Sequence, residues 1–332
     1  MSQTLDWVQS SDSGFGTYTD DAEFLHFDGI PTTASVTETY YFSFNVPEQK
    51  IQGWAYFWIH PNLKIITGGV MIFQGFRPCS LAADYFNIQA YLDFSHINRD
   101  NGTIELPNGL TMRVIKPLKE TELVFLDAAA ETEFHLVFRA AMPPAMRANN
   151  KHFEQNMAVE GELTLRGNRY PVHCHTIRDR SWGEERTETA NNLPPYNWYV
   201  CSFREKLAMN LGIFDDLTHY GDADGEIMIP ADLFVDGWVF SEGNLVRIKA
   251  AQKKTRRTEE TLVPLSHAIE ITDASDKTYQ LKGDTVATCN WNIWPNVLCH
   301  LCLTRWDLDG QAGWGEAQEV QWHEFIRMNY KR

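Results

Sequence analysis

Apolar residues in this chain recur at every second position in short runs. Residues 156–165 show it most clearly: Met157, Val159, Leu163 and Leu165 share one face with Gly161, while Asn156, Glu160, Glu162 and Thr164 take the other. A period of two marks a strand with one buried face. Aromatic and β-branched residues fill the runs 38–46, which stops at Pro47, and 52–60, where Trp54, Tyr56 and Trp58 share a face. The run 65–76 is broken by Gly68-Gly69. Asn108-Gly109 between 103–106 and 110–115 predicts a hairpin, and 133–140 predicts a strand closed by Pro143-Pro144. Helical periods are few. Strands at this spacing predict an all-β sandwich or barrel.

The style repeats after a polar stretch. Residues 184–197 hold Asn191-Asn192 and Pro194-Pro195, the composition of a linker. The chain is therefore divided into a lead-in at 1–30, a first domain at 31–187 and a second at 188–332. The lead-in is acidic and glycine-dotted and reads as loosely ordered chain wrapping onto the body. Strands are expected at 196–203, 207–214, 238–240, 245–250 and 297–308, with turns at Asp215-Asp216, 221–225 and Asp309-Gly310. The basic run Lys253-Lys254-Thr255-Arg256-Arg257 reads as a solvated loop. Trp182-Gly183 and Trp314-Gly315 end the two halves alike, a sign of two related β-domains.

Composition narrows the partners. The 332 residues suffice for two domains, and a 43% hydrophobic content suffices for their cores. A formal charge of −15 argues against nucleic acid and against an anionic membrane surface. No stretch approaches the roughly 20 apolar residues of a membrane helix. The opening Met1-Ser2-Gln3-Thr4-Leu5-Asp6 lacks the basic and apolar runs of a secretory leader, so a cytoplasmic protein is expected. Its six cysteines are then expected to stay reduced. Cys299-His300-Leu301-Cys302 has no second pair to complete a zinc site and reads as buried strand.

Ionisable groups concentrate in His173-Cys174-His175-Thr176-Ile177-Arg178-Asp179-Arg180-Ser181-Trp182-Gly183. On a strand, His173, His175, Ile177 and Asp179 point one way; Cys174, Thr176, Arg178, Arg180 and Trp182 point the other. Asp179 in an apolar, dry cavity would be held protonated and serve as a general acid. The competing reading is an Asp–Arg pair that pins a strand end. His173, His175 and Asp179 also imitate a cupin metal set, yet no Pro-x-Gly motif follows. Antiparallel pairing through the turn at Gly167 brings 152–156 near 175–182, so His152 and Glu154 join the candidates. Trp182, Tyr196 and Trp198 are candidate aromatic lining residues, against the reading that they are core. There is no GxSxG, phosphate loop, GxGxxG after a strand or HExxH.

At Arg178-Asp179-Arg180-Ser181-Trp182-Gly183 the chain resembles the carotenoid 1,2-hydratase (hydroxyneurosporene synthase) and AttH-like superfamily, whose members carry an Asp-His-x-Trp-Gly type motif there. A bacterial branch of it is similar in the His152-Phe153-Glu154-Gln155 run, the 38–47 block and Gly313-Trp314-Gly315-Glu316. The resemblance implies two tandem lipocalin-like (calycin-like) β-barrel domains packed together, and a hydrophobic ligand. It implies Asp179 as proton donor. The chain departs from the hydratases by Ile177 in place of a tyrosine, and by Arg178 and Arg180 in place of histidines.

Three functions are weighed. The preferred one is a cofactor-free hydratase, dehydratase, isomerase or cyclase of a terpenoid, steroid or polyketide-like substrate. Asp179 would give the proton, His175 or His152 would relay it, and Trp182, Trp198, Tyr196, Glu154 and Arg178 would line the site. The alternatives are a lipid carrier and, third, a metal-dependent oxygenase. The expected partner is a hydrophobic small molecule, with a homodimer as the one assembly considered.

Overall fold

The computed structural model describes residues 14–186, 189–203, 206–217 and 227–330. The chain divides into two compact units. One comprises Phe15–Gln74 and Leu81–Thr187; the other gathers Gly75–Ser80 with Glu188–Arg332. No helix among the described residues is long and apolar enough to cross a membrane.

In chain order the strands of the first half are β1 (Val36–Val46), β2 (Ile51–His60), β3 (Ile65–Gln74), β4 (Phe76–Arg77), β5 (Tyr85–Asp93) and β6 (Ile97–Asn98). There follow β7 (Thr103–Glu105), β8 (Leu110–Lys116), β9 (Glu120–Asp127), β10 (Thr132–Ala140), β11 (Ala145–Met146), β12 (His152–Leu165) and β13 (Asn168–Glu185). All but β4 form one sheet in the order β5-β3-β2-β1-β13-β12-β10-β9-β8-β7-β6, with β11 beside β12. Its apolar alternates meet in one cluster that includes Tyr40, Phe42, Phe44, Phe57, Phe125 and Phe138. The predicted Asn-Gly hairpin joins β7 to β8, and Gly109 takes the positive φ of +92° that the tight turn requires. Buried Asn108 then donates to the carbonyls of Gly68 in β3 and Asn87 in β5, at 3.1 and 3.2 Å. These bonds draw strands from opposite ends of the sheet together, so it curls without closing its backbone ladder.

The second unit holds β14 (Tyr196–Ser202), β15 (Leu207–Phe214), β16 (Phe234–Ser241), β17 (Asn244–Arg257), β18 (Pro264–Asp273), β19 (Thr278–Trp291), β20 (Val297–Leu308) and β21 (Gln311–Trp322). A short helix, α1 (His323–Asn329), follows. The order β18-β17-β16-β15-β14-β21-β20-β19 closes through β18–β19 pairing, giving an eight-stranded barrel. Trp306, Tyr199, Ile271 and Leu281 are among its core residues.

Three expectations change. The third strand ends at Gln74, not Phe76, because Gly75 turns at φ +65°; β4, which belongs to the second unit, then pairs in parallel with β19 of that same unit. The basic run 253–257 is not a solvated loop. It ends β17, and strand alternation turns Lys253 and Arg257 inward, where the side chains are 1% and 5% exposed. Asp215 and Glu319 neutralise them there, with Arg257 bidentate on Glu319 at 2.6 and 2.7 Å. The described part of the lead-in is also firmly held. Gly16 donates to the carbonyl of Met146 at 2.9 Å, and the 3-10 turn Asp20–Glu23 buries Ala22 and Glu23.

Candidate functional site

β13 lies between β1 and β12, with Asp179 opposite both Tyr41 and Glu154. Alternation along β13 divides its charges between two faces. Val172 and Cys174 join the apolar cluster on the core face. Arg178, Arg180 and Trp182 follow them there, and Asp179 points the other way.

The arginines are locked. Arg178 grips Glu23 with Nη1 and Nη2, at 2.6 and 2.8 Å, and donates from Nε to Gln155 Oε1 at 3.0 Å. The Leu118 amide adds a bond to Glu23 at 2.7 Å. Arg180 pairs with Glu38, donates to the carbonyl of Phe24 at 2.7 Å, and lies 3.9 Å over the Tyr40 ring. Trp182 stacks on His26 with ring centroids 4.3 Å apart. Arg178 and Trp182, both candidate ligand-lining residues, are therefore occupied on the face away from Asp179.

The structure brings three candidates together: His152, Glu154 and Asp179. His152 Nε2 is hydrogen-bonded to Asp179 Oδ2 and lies 3.4 Å from Glu154 Oε1. Arg147 Nη2 donates to that Glu154 oxygen at 2.6 Å, and the Arg147 amide donates to the His152 carbonyl at 2.7 Å. The side chains are nearly buried: 10% exposed for His152, 3% for Glu154, 16% for Asp179. His152 Nδ1 is buried as well and has no hydrogen-bond partner among the described residues.

Electrostatics decides where the proton sits. Burial pushes the Asp179 carboxyl up, but the His152 charge and hydrogen bond, with Arg147 and Arg186 behind them, bring it below the usual aspartate range. Burial and Arg147 push the His152 imidazole down, and the charges of Asp179 and Glu154 outweigh them and hold it above the usual histidine value. These directions favour an ionised Asp179 paired with His152 over the protonated acid in a dry cavity that the sequence reading expects.

The donor atoms of His152, Glu154 and Asp179 lie within 4.8 Å of one another, close enough to hold a metal ion. Arg147 already pairs with Glu154, and His152 with Asp179, so the two carboxylates have partners within the protein. The cupin-like set does not assemble. His173 is exposed, and His175 lies opposite Ala158, four residues or about 13 Å along the strand from Asp179.

Tyr196 and Trp198 lie on β14, in the other unit from Asp179. Tyr196 packs 5.2 Å from Phe214, and Trp198 is half-buried. Sequence reasoning missed Arg147, which carries no motif, and Tyr41. Tyr41 sits beside Asp179 and packs edge-on to Trp54 and Tyr56, at 6.0 and 6.2 Å. The Trp54/Tyr56/Trp58 alternation was the available signal for that aromatic face. In the second unit, a hollow of about 410 Å³ over β17–β19 is lined by Lys254, Arg256, Ser266, Ala268, Lys282 and Asp284 among others.

Comparison with known proteins bears out the expected fold. The AttH-like protein NE1406 of Nitrosomonas europaea superposes with a TM-score of 0.61 at 12% identity, over 95% of this chain and 99% of that one. Kievitone hydratase of Nectria haematococca gives 0.54 at 10% identity, over 96% and 98%. The architecture is thus the tandem lipocalin-like one that the Arg178–Gly183 run implied. No curated protein sequence matches significantly. Residues 19–324 match the family described as a domain of unknown function, DUF7064. That match takes in both units and the buried turn at Glu23, and the chain belongs to the DUF7064 family.

Proposed function

We propose that the protein is a lyase of the hydratase or dehydratase kind, acting on a hydrophobic small molecule, with His152 as the proton-transferring group and Asp179 as its anchor. One observation carries this reading. Nε2 of His152 is held by a carboxylate, and the buried Nδ1 is left without a protein partner. Such an arrangement fixes the ring and frees one nitrogen for substrate.

In the dehydrating direction the Nδ1 proton passes to a substrate hydroxyl. The C–O bond breaks and water leaves. Neutral Nδ1 then takes a proton from the adjacent carbon, the alkene forms, and the imidazolium is restored. Hydration is the reverse. An imidazolium is a weaker acid than a carboxylic acid, so the substrate is one with an activated alkene or a readily ionised alcohol of terpenoid, steroid or polyketide type, rather than an isolated double bond. The hydratase among the similar structures supports the reaction class. A reducing, cytoplasmic setting belongs to the same proposal, in keeping with six free cysteines.

The test is a panel of conjugated and allylic terpenoid, steroid and polyketide alkenes and alcohols in heavy-oxygen water, read by mass spectrometry. Gain or loss of one water is expected. His152→Gln is expected to lower the rate by about 10²–10⁴-fold. Ligands that bind but return chemically unchanged would instead establish a carrier.

A further inference from the structure

His152 Nε2 faces two carboxylates, not one. Asp179 reaches it from β13 and accepts its hydrogen bond; Glu154, two residues along on β12, stands 3.4 Å away. If both competed freely for the Nε2 proton, the ring would be drawn between them, and Nδ1 would have no fixed direction. Arg147 breaks the tie. Its guanidinium holds Glu154 Oε1 at 2.6 Å, and its amide is tied to the His152 carbonyl at 2.7 Å. The turn carrying Arg147 is itself pinned: Asn150 donates to the Arg147 carbonyl at 2.9 Å, and Asn150 Oδ1 accepts from the Thr17 amide at 2.8 Å.

We infer that Glu154, clamped by Arg147, is a positioning residue that keeps the His152 ring aligned on Asp179 and balances its charge. This rests on the reading of His152 as the proton-transferring group. The two members act with opposite sign. The Glu154 carboxylate favours the imidazolium, and the Arg147 guanidinium opposes it. Among the described residues, Asp179 on β13 also bears on His152, and Arg186 just beyond β13 bears on Asp179. Arg147 thereby opposes the rise in His152 basicity that its two carboxylate neighbours produce.

The sign difference supplies the test, and no substrate is needed. The titration of His152 is followed by NMR in the full chain, with its resonance identified by its disappearance in His152→Gln. Glu154→Gln, close to isosteric, is expected to lower the midpoint. Arg147→Met is expected to raise it, and Arg147→Lys to return it toward the starting value. A merely structural pair would shift both variants in the same direction by loosening the same strand. Equal-sign shifts, or no shift in either variant, would overturn the inference. Should Glu154→Gln not fold, Arg147→Met decides alone: a midpoint that falls or stays refutes it. Because the readout is protonation and not turnover, failure of the proposed reaction leaves a different record, namely normal titrations with no substrate converted.

Discussion

Separating the two charges of the Arg178–Glu23 pair should damage the first unit more than any surface change. The side chains are 1% and 0% exposed. Glu23 receives two bonds from Arg178 and one from the Leu118 amide. Glu23→Leu leaves the guanidinium buried, with Gln155 Oε1 as its remaining acceptor in this cluster. Removal of one member of such a pair costs about 3–5 kcal/mol, since the surviving charge has lost its counter-ion. Arg178→Met should cost about the same for the mirror reason. The double variant removes both charges and leaves neutral orphans, chiefly the Leu118 amide and Gln155 Oε1, at about 1–3 kcal/mol each. It should therefore fall short of the summed single losses by about 4 kcal/mol. Urea unfolding followed by near-ultraviolet circular dichroism measures all three. Additivity within about 0.5 kcal/mol would refute the coupling, and single losses below about 1 kcal/mol would refute the buried pair itself. Acid should act on the same link. Burial raises the Glu23 carboxyl, but Arg178 and the Leu118 amide together bring it below the usual glutamate value. Its contribution is thus complete above about pH 4.3 and is lost as the pH falls through the depressed folded value.

The His152–Asp179 pair should show two-sided pH dependence. Its contribution is complete between about pH 4 and 6.5; it fades below as depressed Asp179 is protonated and above as raised His152 loses its proton. His152→Gln should flatten both limbs in thermal melts, and unchanged limbs would disprove the assignment. Gly315→Ala would set a Cβ 2.0 Å from the Val200 carbonyl oxygen, so a loss of about 1–3 kcal/mol is expected; an unshifted melting temperature would contradict the packing. Cys201, Cys289, Cys299 and Cys302 are buried, with the Cys302 thiol pushed up to about 12, so a thiol reagent should label half-buried Cys79 well before any of these four in the native protein. Mass mapping that found the buried four labelled equally fast would refute this.

Local rules carried much of the fold. The period-two runs located the strands of both halves, and Asn108-Gly109 gave its hairpin. Alternation along β13 correctly separated Asp179 from Arg178, Arg180 and Trp182. What escaped depends on chain brought in from afar. Glu23 meets Arg178 across 155 residues, and no local pattern in the acidic lead-in marks which of its carboxylates will be buried. Lys253 and Arg257 were misread because a dense basic run looks solvated until Asp215 and Glu319 are known to meet it inside a closed barrel. The partner of Asp179 escaped for the same reason. Its decisive neighbour is the imidazole of His152; the pairing of β12 with β13 was readable, but that the ring would swing onto the carboxylate was not.

The alternation that separates those charges also explains why they stand side by side in sequence. Asp179 shares its backbone with two arginines whose guanidinium groups are fixed on the opposite face, Arg178 by Glu23 and Gln155, Arg180 by Glu38 and the carbonyls of Thr39, Ser181 and Phe24. A strand anchored at both neighbours of one residue cannot readily slide or twist at that residue. The carboxylate on the free face is thereby held in place for His152 without a bond from either arginine. The lead-in supplies the anchors, through Glu23 and the Phe24 carbonyl, so it belongs to the support of the site although it touches none of His152, Glu154 or Asp179 in any of these bonds. Proton transfer tolerates little misalignment of its partners. The deep ion pairs are therefore best understood as the scaffold that fixes Asp179 against the nearly buried ring of His152, the alignment that the proposed proton transfer needs.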